Sequence, residues 1–161
     1  MLKANNVILL NDPRNIEKYF IETGKTVKNT RELNNVILVF TEFYSPIDEP
    51  VTEKDEEERY WLYSKLDSAI KKIQENKYTR QAIIYNLHDS GLDHNCLNTF
   101  HLYYRQNKLH LNVYVRSMNF DDNYNHDMHT FNILLDKACD ELSLKKGQIV
   151  VFIMSLHRFK K

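Results

Sequence analysis

The chain has 161 residues, and its 22 basic and 22 acidic side chains give a formal net charge of zero at neutral pH. This balance does not indicate nucleic acid or a membrane surface as a partner. Two cysteines without close spacing argue against a disulfide framework or a zinc motif, and no apolar run has the length of a membrane span or a secretory signal core. We therefore expect one domain over residues 1–161, with a real hydrophobic core, in a reducing cytoplasm.

Apolar periodicity predicts the regular elements of the first half of the chain. A helix is expected over residues 16–23, ended by Gly24, and a buried strand over residues 35–40. Residues 56–76 form the longest predicted helix, and a further strand is expected over residues 80–85. The apolar stripe of the long helix, at steps of three and four, comprises Trp61, Leu62, Leu66, Ala69, Ile70 and Ile73.

The second half of the chain reads as strands around one more helix. Strands are expected over residues 97–104 and 109–115, joined by a turn at residues 106–107. A helix over residues 129–142 and a last buried strand over residues 148–154 follow. These elements predict an α+β domain in which two or three long helices pack on a mostly antiparallel or mixed sheet.

Cys96 is the first candidate for chemistry. It lies where a loop meets a strand, a position at which a thiol can be exposed for nucleophilic attack. The alternative is a buried structural cysteine, which is common in proteins. Cys139, within a predicted helix, is expected to be such a packing residue.

Five polar residues each have two interpretations. Arg116 and Ser117, at a strand end, suit a phosphate group, but an isolated arginine more often forms a surface ion pair. Arg80, at the start of another strand, has the same two interpretations. Asp127 either accepts a hydrogen bond from a base or caps the following helix. His157 either contacts a sugar hydroxyl or is an ordinary polar strand end.

The histidines give no conventional metal motif. His94, His126 and His129 are close in sequence, but their spacing matches no standard zinc signature. His126 and His129 are expected to flank a helix start rather than to lie one turn apart inside the helix. We therefore expect no metal.

Four motifs follow one another in the second half of the chain: Cys96-Leu97-Asn98-Thr99, Arg116-Ser117, Asn125-His126-Asp127 and Ser155-Leu156-His157. Their order and spacing resemble the nucleotide-binding half of the thymidylate synthase and deoxycytidylate hydroxymethylase family. The resemblance covers residues 77–159 and implies a reduced, truncated member with the family's mixed sheet and long helices.

The resemblance implies a catalytic role for two residues. Cys96 would be the nucleophile that attacks C6 of a pyrimidine nucleotide. Glu58, in a segment similar to the family's Glu-x-x-Trp helix, would organise water and proton transfer near the base.

The remaining site residues would hold the nucleotide. Arg116 and Ser117 would bind the 5′-phosphate, and Arg80 would reach the phosphate of a partner chain, which implies a homodimer. His157 would approach the ribose 3′-hydroxyl. Asn119 stands where the family has an aspartate, and it is included among the nucleotide-binding residues.

Asp127 indicates the base. Thymidylate synthases have Asn at this position and deoxycytidylate hydroxymethylases have Asp. A carboxylate accepts a hydrogen bond from the C4 amino group of cytosine. The resemblance therefore implies dCMP as the first choice of pyrimidine nucleoside monophosphate, with dUMP second.

Several folate-facing positions depart from the family pattern. Asn119 replaces an aspartate, His101 replaces a glutamine, and residues 121–125 replace a glycine loop without containing glycine. Phe159 also replaces the tyrosine that would share the 3′-hydroxyl. Methylenetetrahydrofolate, the family's carbon donor, is therefore doubtful here.

Two functions remain from the sequence. One is a C5 hydroxymethylase or methyltransferase that acts on dCMP, or second on dUMP, through its cysteine. The other is an inactive paralogue that captures a pyrimidine nucleotide or regulates a full-length enzyme by forming mixed dimers.

Overall fold

The structure is a computed structural model that describes residues 7–9, 14–40, 53–85 and 96–159. Within these ranges the chain forms seven strands and three helices, which confirms the α+β class. In chain order the elements are β1 (Val7–Leu9), α1 (Arg14–Thr23), β2 (Lys25–Val27), β3 (Thr30–Phe40), α2 (Glu53–Glu75), β4 (Ile83–Tyr85), β5 (Leu97–Arg105), β6 (Lys108–Asn119), α3 (Tyr124–Leu142) and β7 (Lys145–Phe159).

The described strands form one mixed sheet in the order β1-β3-β7-β6-β5-β4, and β2 pairs with β3 beside this path. β1 runs parallel to β3 and β6 runs parallel to β7, whereas the other neighbours are antiparallel. A parallel pair needs a crossover, and α3 provides it between β6 and β7. The last strand of the described chain is therefore central, between β3 and β6.

One face of the sheet is covered by the helices. Buried residues of α1, α2 and α3 join alternate residues of the strands in a single hydrophobic cluster. On β6 the buried positions Leu109, Leu111 and Val113 alternate with Asn112 and Tyr114 on the opposite face. This opposite face carries exposed apolar side chains, as the 43% exposure of Tyr114 shows.

An irregular band crosses the sheet. In regular strands, residues facing the core are two apart, but here the buried residues of three neighbouring strands are three apart. One row is Leu33, Leu156 and Met118, and the next is Val36, Ile153 and Val115. On β3 the insertion contains Asn35, whose φ is 57°. The pairing of β5 with β6 shifts register between Leu97 and Thr99. We call residues 34–35, 116–117 and 154–155 the irregular band.

Three predicted strand boundaries are wrong at this band. β3 begins at Thr30 rather than at residue 35, β6 continues to Asn119 rather than ending at 115, and β7 continues to Phe159 rather than ending at 154. The apolar run of β3 and of β7, and the apolar alternation of β6, stop where the extra residue is inserted, although strand pairing continues past that point.

The helices also differ in extent from the prediction. α3 begins at Tyr124, five residues before the predicted start, and β4 covers only Ile83–Tyr85 of the strand predicted from residue 80. The early turns of α3 contain polar residues, so apolar periodicity alone placed the start too late. Five residues of the predicted stripe on α2 are buried, and the side chain of the sixth, Trp61, lies outside the described residues; the five are Leu62, Leu66, Ala69, Ile70 and Ile73.

Candidate functional site

Cys96 and Arg116 lie together at the start of β5. The backbone N–H of Arg116 donates to the carbonyl oxygen of Cys96 at 2.8 Å. The Nη2 of Arg116 is 3.9 Å from the Sγ of Cys96. Cys96 is half-buried and Arg116 is exposed, so a thiol and a guanidinium share one accessible location.

Cys139 provides the contrast. It is 6% exposed on α3, and burial raises the pKa of its thiol to about 12. Cys139 is therefore a buried packing residue, as expected from the sequence. Cys96, in contrast, is half-buried and lies beside the Arg116 guanidinium.

Ser117 and His157 form a second pair beside the first. The parallel register places Ser117 opposite Ser155 and Asn119 opposite His157. The Oγ of Ser117 and the Nδ1 of His157 are 3.3 Å apart, and the tautomer of the imidazole decides which of them donates. The two residues are 40 positions apart in sequence, so the β6–β7 pairing is what brings them together.

Asn119 closes the turn that follows β6. Its Nδ2 donates to a carboxylate oxygen of Asp122, and its Oδ1 accepts from the backbone N–H of Asp121 at 3.2 Å. Both polar ends of the Asn119 amide therefore contact the turn of residues 120–123.

Asp127 lies in the first turn of α3 and is 9% exposed. The N-cap of this helix is Asn123, whose carbonyl accepts from the N–H of Asp127 at 2.8 Å. The capping interpretation of Asp127 is therefore wrong, because the helix begins before this residue. A buried carboxylate near a helix N-terminus is stabilised by the helix dipole.

Arg80 is not brought to Cys96 within one chain. It is exposed and precedes β4. The carbonyl of Ala82 accepts from the N–H of Leu102 at 2.9 Å, and Leu102 lies roughly 20 Å along β5 from Cys96 at the usual rise per residue. β4 is antiparallel to β5, so residues before Ala82 lie still further from Cys96. Arg80 is therefore not near the Cys96 thiol of the same chain.

Glu58 lies in α2, but its side chain is outside the described residues. Its proposed role in proton transfer stays a prediction from the resemblance.

The histidines differ from their predicted placement. His126 and His129 both lie inside α3, one turn apart, rather than flanking its start, and His94 lies outside the described residues. In the described ranges, no cluster of three or more His, Cys, Asp or Glu side chains could hold a metal ion. The helices in those ranges are also too short or too polar to span a membrane.

Arg158 is a site neighbour that the sequence did not single out. Its guanidinium donates to Asp121 at 3.3 and 2.5 Å and to Glu17 at 3.2 Å. It also lies over the rings of Phe20 and Phe120, at 5.7 and 5.4 Å from their centroids. The bond to Asp121 is the main cause that raises the pKa of Arg158. The only sequence signal was its position next to His157.

Comparison with known proteins identifies the family. Residues 28–161 match the family model described as thymidylate synthase. The chain belongs to the thymidylate synthase family. This confirms the resemblance seen at Cys96, Arg116, Ser117, Asp127 and His157 as a family relationship, although it does not test the role of each residue.

The thymidylate synthase fold is also found by structural comparison. The chain matches the thermostable thymidylate synthase A from Bacillus subtilis with a TM-score of 0.74 over 91% of this chain and 78% of that enzyme. Sequence identity is 14%, so this likeness shows the shared fold. No curated protein matches the chain. Thymidylate synthase relatives are pyrimidine methyl- and hydroxymethyltransferases of nucleotide biosynthesis, and they use methylenetetrahydrofolate.

Proposed function

We propose that this chain binds a pyrimidine deoxynucleoside monophosphate and adds the sulfur of Cys96 to C6 of the base. The observation that supports this most directly is the 3.9 Å approach of the Arg116 guanidinium to the Cys96 sulfur. It joins a nucleophile and an anion-binding group at one location. dCMP is the preferred nucleotide and dUMP the second.

Arg116 and Ser117 are the phosphate-binding residues in this proposal. A guanidinium binds phosphate oxygens through two parallel N–H groups, and a serine hydroxyl adds a further donor. Among the described carboxylates, none forms an ion pair with Arg116, and its side chain is exposed. The surface ion-pair interpretation therefore has no support in the described part of the chain.

The chemistry of the base follows from the Cys96 sulfur alone. The thiolate of Cys96 forms a bond to C6, and the electron pair of the C5–C6 double bond moves to C5. In cytosine this pair is delocalised onto N3 through the C4–N3 double bond, whereas in uracil it is delocalised onto O4 and gives an enolate. A proton from water then adds at C5. Loss of the original C5 hydrogen to water and expulsion of the sulfur restore the double bond, so one hydrogen is exchanged for another and the balance is closed.

Methylenetetrahydrofolate does not fit the described residues. Asn119, at the family's folate and proton-relay position, has no charge, and its amide is bonded within the turn to Asp122 and Asp121. The proposal is therefore confined to nucleotide binding and to addition of sulfur at C6, with no carbon transfer derived.

Asp127 selects the base in this proposal. Its carboxylate accepts from the C4 amino group of cytosine, whereas uracil presents an oxygen at C4 that a carboxylate repels. Its 9% exposure supports this role, because a hydrogen bond discriminates best where water is excluded.

A homodimer completes the phosphate site. The sheet face opposite the described helices exposes Tyr114 and Met154, and the rings of Tyr114 and Phe152 stack with their centroids 5.0 Å apart. An apolar surface of this kind favours association, and members of the family are typically dimeric. Arg80 then serves the phosphate of the other chain, since it lies far from Cys96 of its own.

Two wider expectations are kept as proposals. The single hydrophobic cluster shared by all three helices supports one domain over residues 1–161. Cys96 and Cys139 are both free thiols, which supports a reducing, cytoplasmic setting.

The alternative is a nucleotide-binding or regulatory paralogue without turnover. The engagement of the Asn119 amide within its turn favours this alternative, because a group needed for carbon transfer is absent. Nucleotide binding is common to the enzyme and to a nucleotide-capturing paralogue, whereas chemistry at C5 belongs to the enzyme alone.

Tritium release from C5-labelled dCMP tests the proposal. We expect release into water by the chain, slower release from labelled dUMP, and none by Cys96→Ala. Cys139→Ala is the matched control, because it removes the other thiol and should still release tritium. Tight binding of dCMP without release, unchanged in Cys96→Ala, would establish the paralogue instead. Absence of binding of both dCMP and dUMP would overturn the enzyme and the nucleotide-capturing paralogue.

A further inference from the structure

A cluster of charged side chains in the described chain lies next to the site rather than in it. Arg158 bridges two carboxylates, Asp121 in the turn after β6 and Glu17 on α1. The side chains of Arg158 and Asp121 are 24% and 31% exposed, so this contact is partly shielded from water, whereas Glu17 is 55% exposed. Shielding makes the contact with Asp121 the stronger of the two.

The turn of residues 120–123 is tied to β7 at two points. The N–H of Phe120 donates to the carbonyl of His157 at 2.8 Å, and the carboxylate of Asp121 accepts from Arg158, the next residue of the strand. One link is a backbone bond and the other is a pair of charged side chains. The end of β7 therefore holds the first two residues of the turn.

Hydrogen bonds continue from this turn into the helix. The N–H of Asn123 donates to the carbonyl of Asn119 at 3.0 Å, and the N–H of Asp127 donates to the carbonyl of Asn123 at 2.8 Å. Backbone hydrogen bonds thus connect the turn to Asp127 through Asn123. Asn123 forms no side-chain cap bond, so the turn meets the start of α3 through these backbone bonds and through the packing of Phe120 on Tyr124.

We infer that Arg158 is a positioning residue that holds the turn of residues 120–123, and through it Asp127, in the geometry that distinguishes cytosine from uracil. The effect on nucleotide discrimination rests on the proposed function, whereas the effect on the turn rests on the contacts of Asp121. Arg116 and Ser117 precede the turn on β6, so phosphate binding depends less on Arg158.

Binding of dCMP and dUMP to variants of the full chain separates this role from general loss of structure. We expect Arg158→Gln and Asp121→Asn to lower affinity for dCMP about tenfold and to bring the ratio of dCMP to dUMP affinity towards one. Arg158→Lys should restore part of both, since an ammonium still pairs with Asp121 as a point charge. Equal losses for both nucleotides, with the ratio unchanged, would overturn the inference.

Glu17→Gln is the matched control, because it removes the other carboxylate of the same arginine. We expect it to leave both affinities and their ratio unchanged. An effect as large as that of Asp121→Asn would mean that Arg158 acts through α1, and the inference would be wrong.

Hydrogen exchange in the absence of nucleotide gives a result that does not depend on the proposed function. The amides of Asn123 and Asp127 should exchange about tenfold faster in Arg158→Gln and Asp121→Asn, and at the original rate in Glu17→Gln. Unchanged exchange in the first two variants overturns the inference whether or not the chain binds dCMP. Failure of the original chain to bind either nucleotide overturns the proposed function separately.

Discussion

The sheet has two halves of different character on either side of the irregular band. In the regular half, Leu109, Leu111 and Val113 of β6 face the core at every second position, although the register with β7 shifts once between Leu109 and Leu111. Asn112 and Tyr114 lie on the opposite face. At the band and beyond it, the spacing of buried residues becomes three, and the candidate site residues Arg116, Ser117 and His157 are found there. Regular pleating builds the core, and its interruption turns polar side chains towards a common site.

The largest expected effect breaks the regular half. Leu111 is 1% exposed in the centre of β6, and Leu111→Ala should lower the free energy of unfolding by about 2–5 kcal/mol. Urea denaturation measures this loss. Under conditions in which the variant is folded, dCMP affinity should be retained, and a parallel loss of affinity would show that the two halves are not separable.

The second prediction breaks the irregular band. Arg116→Ala should lower dCMP affinity by about 1.5–3 kcal/mol, because a charge-assisted contact with phosphate is lost, while the unfolding free energy changes by no more than about 0.5 kcal/mol. Titration calorimetry and urea denaturation measure the two quantities. Arg105→Ala, at the far end of β5, is the matched control and should affect binding little.

The third prediction tests whether Asp127, which follows the irregular band on α3, selects the base. Asp127→Asn should invert the preference from dCMP to dUMP, since an amide pairs with the N3–H and O4 edge of uracil, with a change in discrimination of about 1–3 kcal/mol. Competition binding with the two nucleotides measures this ratio. Unaltered preference would assign base selection to another residue.

The smallest expected effect belongs to His110, in the regular half. Its Nδ1 accepts from the N–H of Gln148 at 3.0 Å, and its Nε2 lies 3.2 Å from the carbonyl of Arg105. Burial lowers the pKa of His110 from 6.5, with Lys108 adding to the decrease and the Arg105 hydrogen bond opposing it.

This lowered pKa means that the folded chain binds the proton less readily than the unfolded chain. The contribution of neutral His110 to the free energy of unfolding is therefore fully present above pH 6.5. It decreases as the pH falls from 6.5 through the folded-state pKa of His110. Urea denaturation at several pH values should show this decrease, and His110→Asn should have a shallower one. His101, whose pKa is also lowered by burial, remains in that variant and accounts for part of the slope. An identical slope in both proteins would exclude His110 as a contributor.

The regular half could be predicted from the sequence, and the band could not. Residues 109–115 follow apolar alternation, residues 149–154 form a continuous apolar run, and the stripe on α2 follows helical periodicity, so all three elements could be predicted. The predicted strands stopped at the band, because an extra residue changes the face of every side chain after it. Hydrogen bonding continues past that point, but the sequence pattern does not report it.

For the candidate site, family resemblance supplied what periodicity could not. The order of Cys96, Arg116 and His157 predicted a common site, and two of its contacts, Cys96 with Arg116 and Ser117 with His157, are present. The contact of Arg158 with Glu17 joins residues 141 positions apart, and no local pattern marks such a pair. It depends on how α1 docks, which is a property of the whole fold.

The central position of β7 has a consequence for how the molecule is made. β7 pairs with both β3 and β6, although it is the last of the described strands in the chain. Until it is synthesised, the facing edges of β3 and β6 have no partner, and closing them requires contacts between residues far apart in sequence. We expect the nascent chain to acquire its sheet late and slowly, and to need protection from pairing with neighbouring chains during that interval.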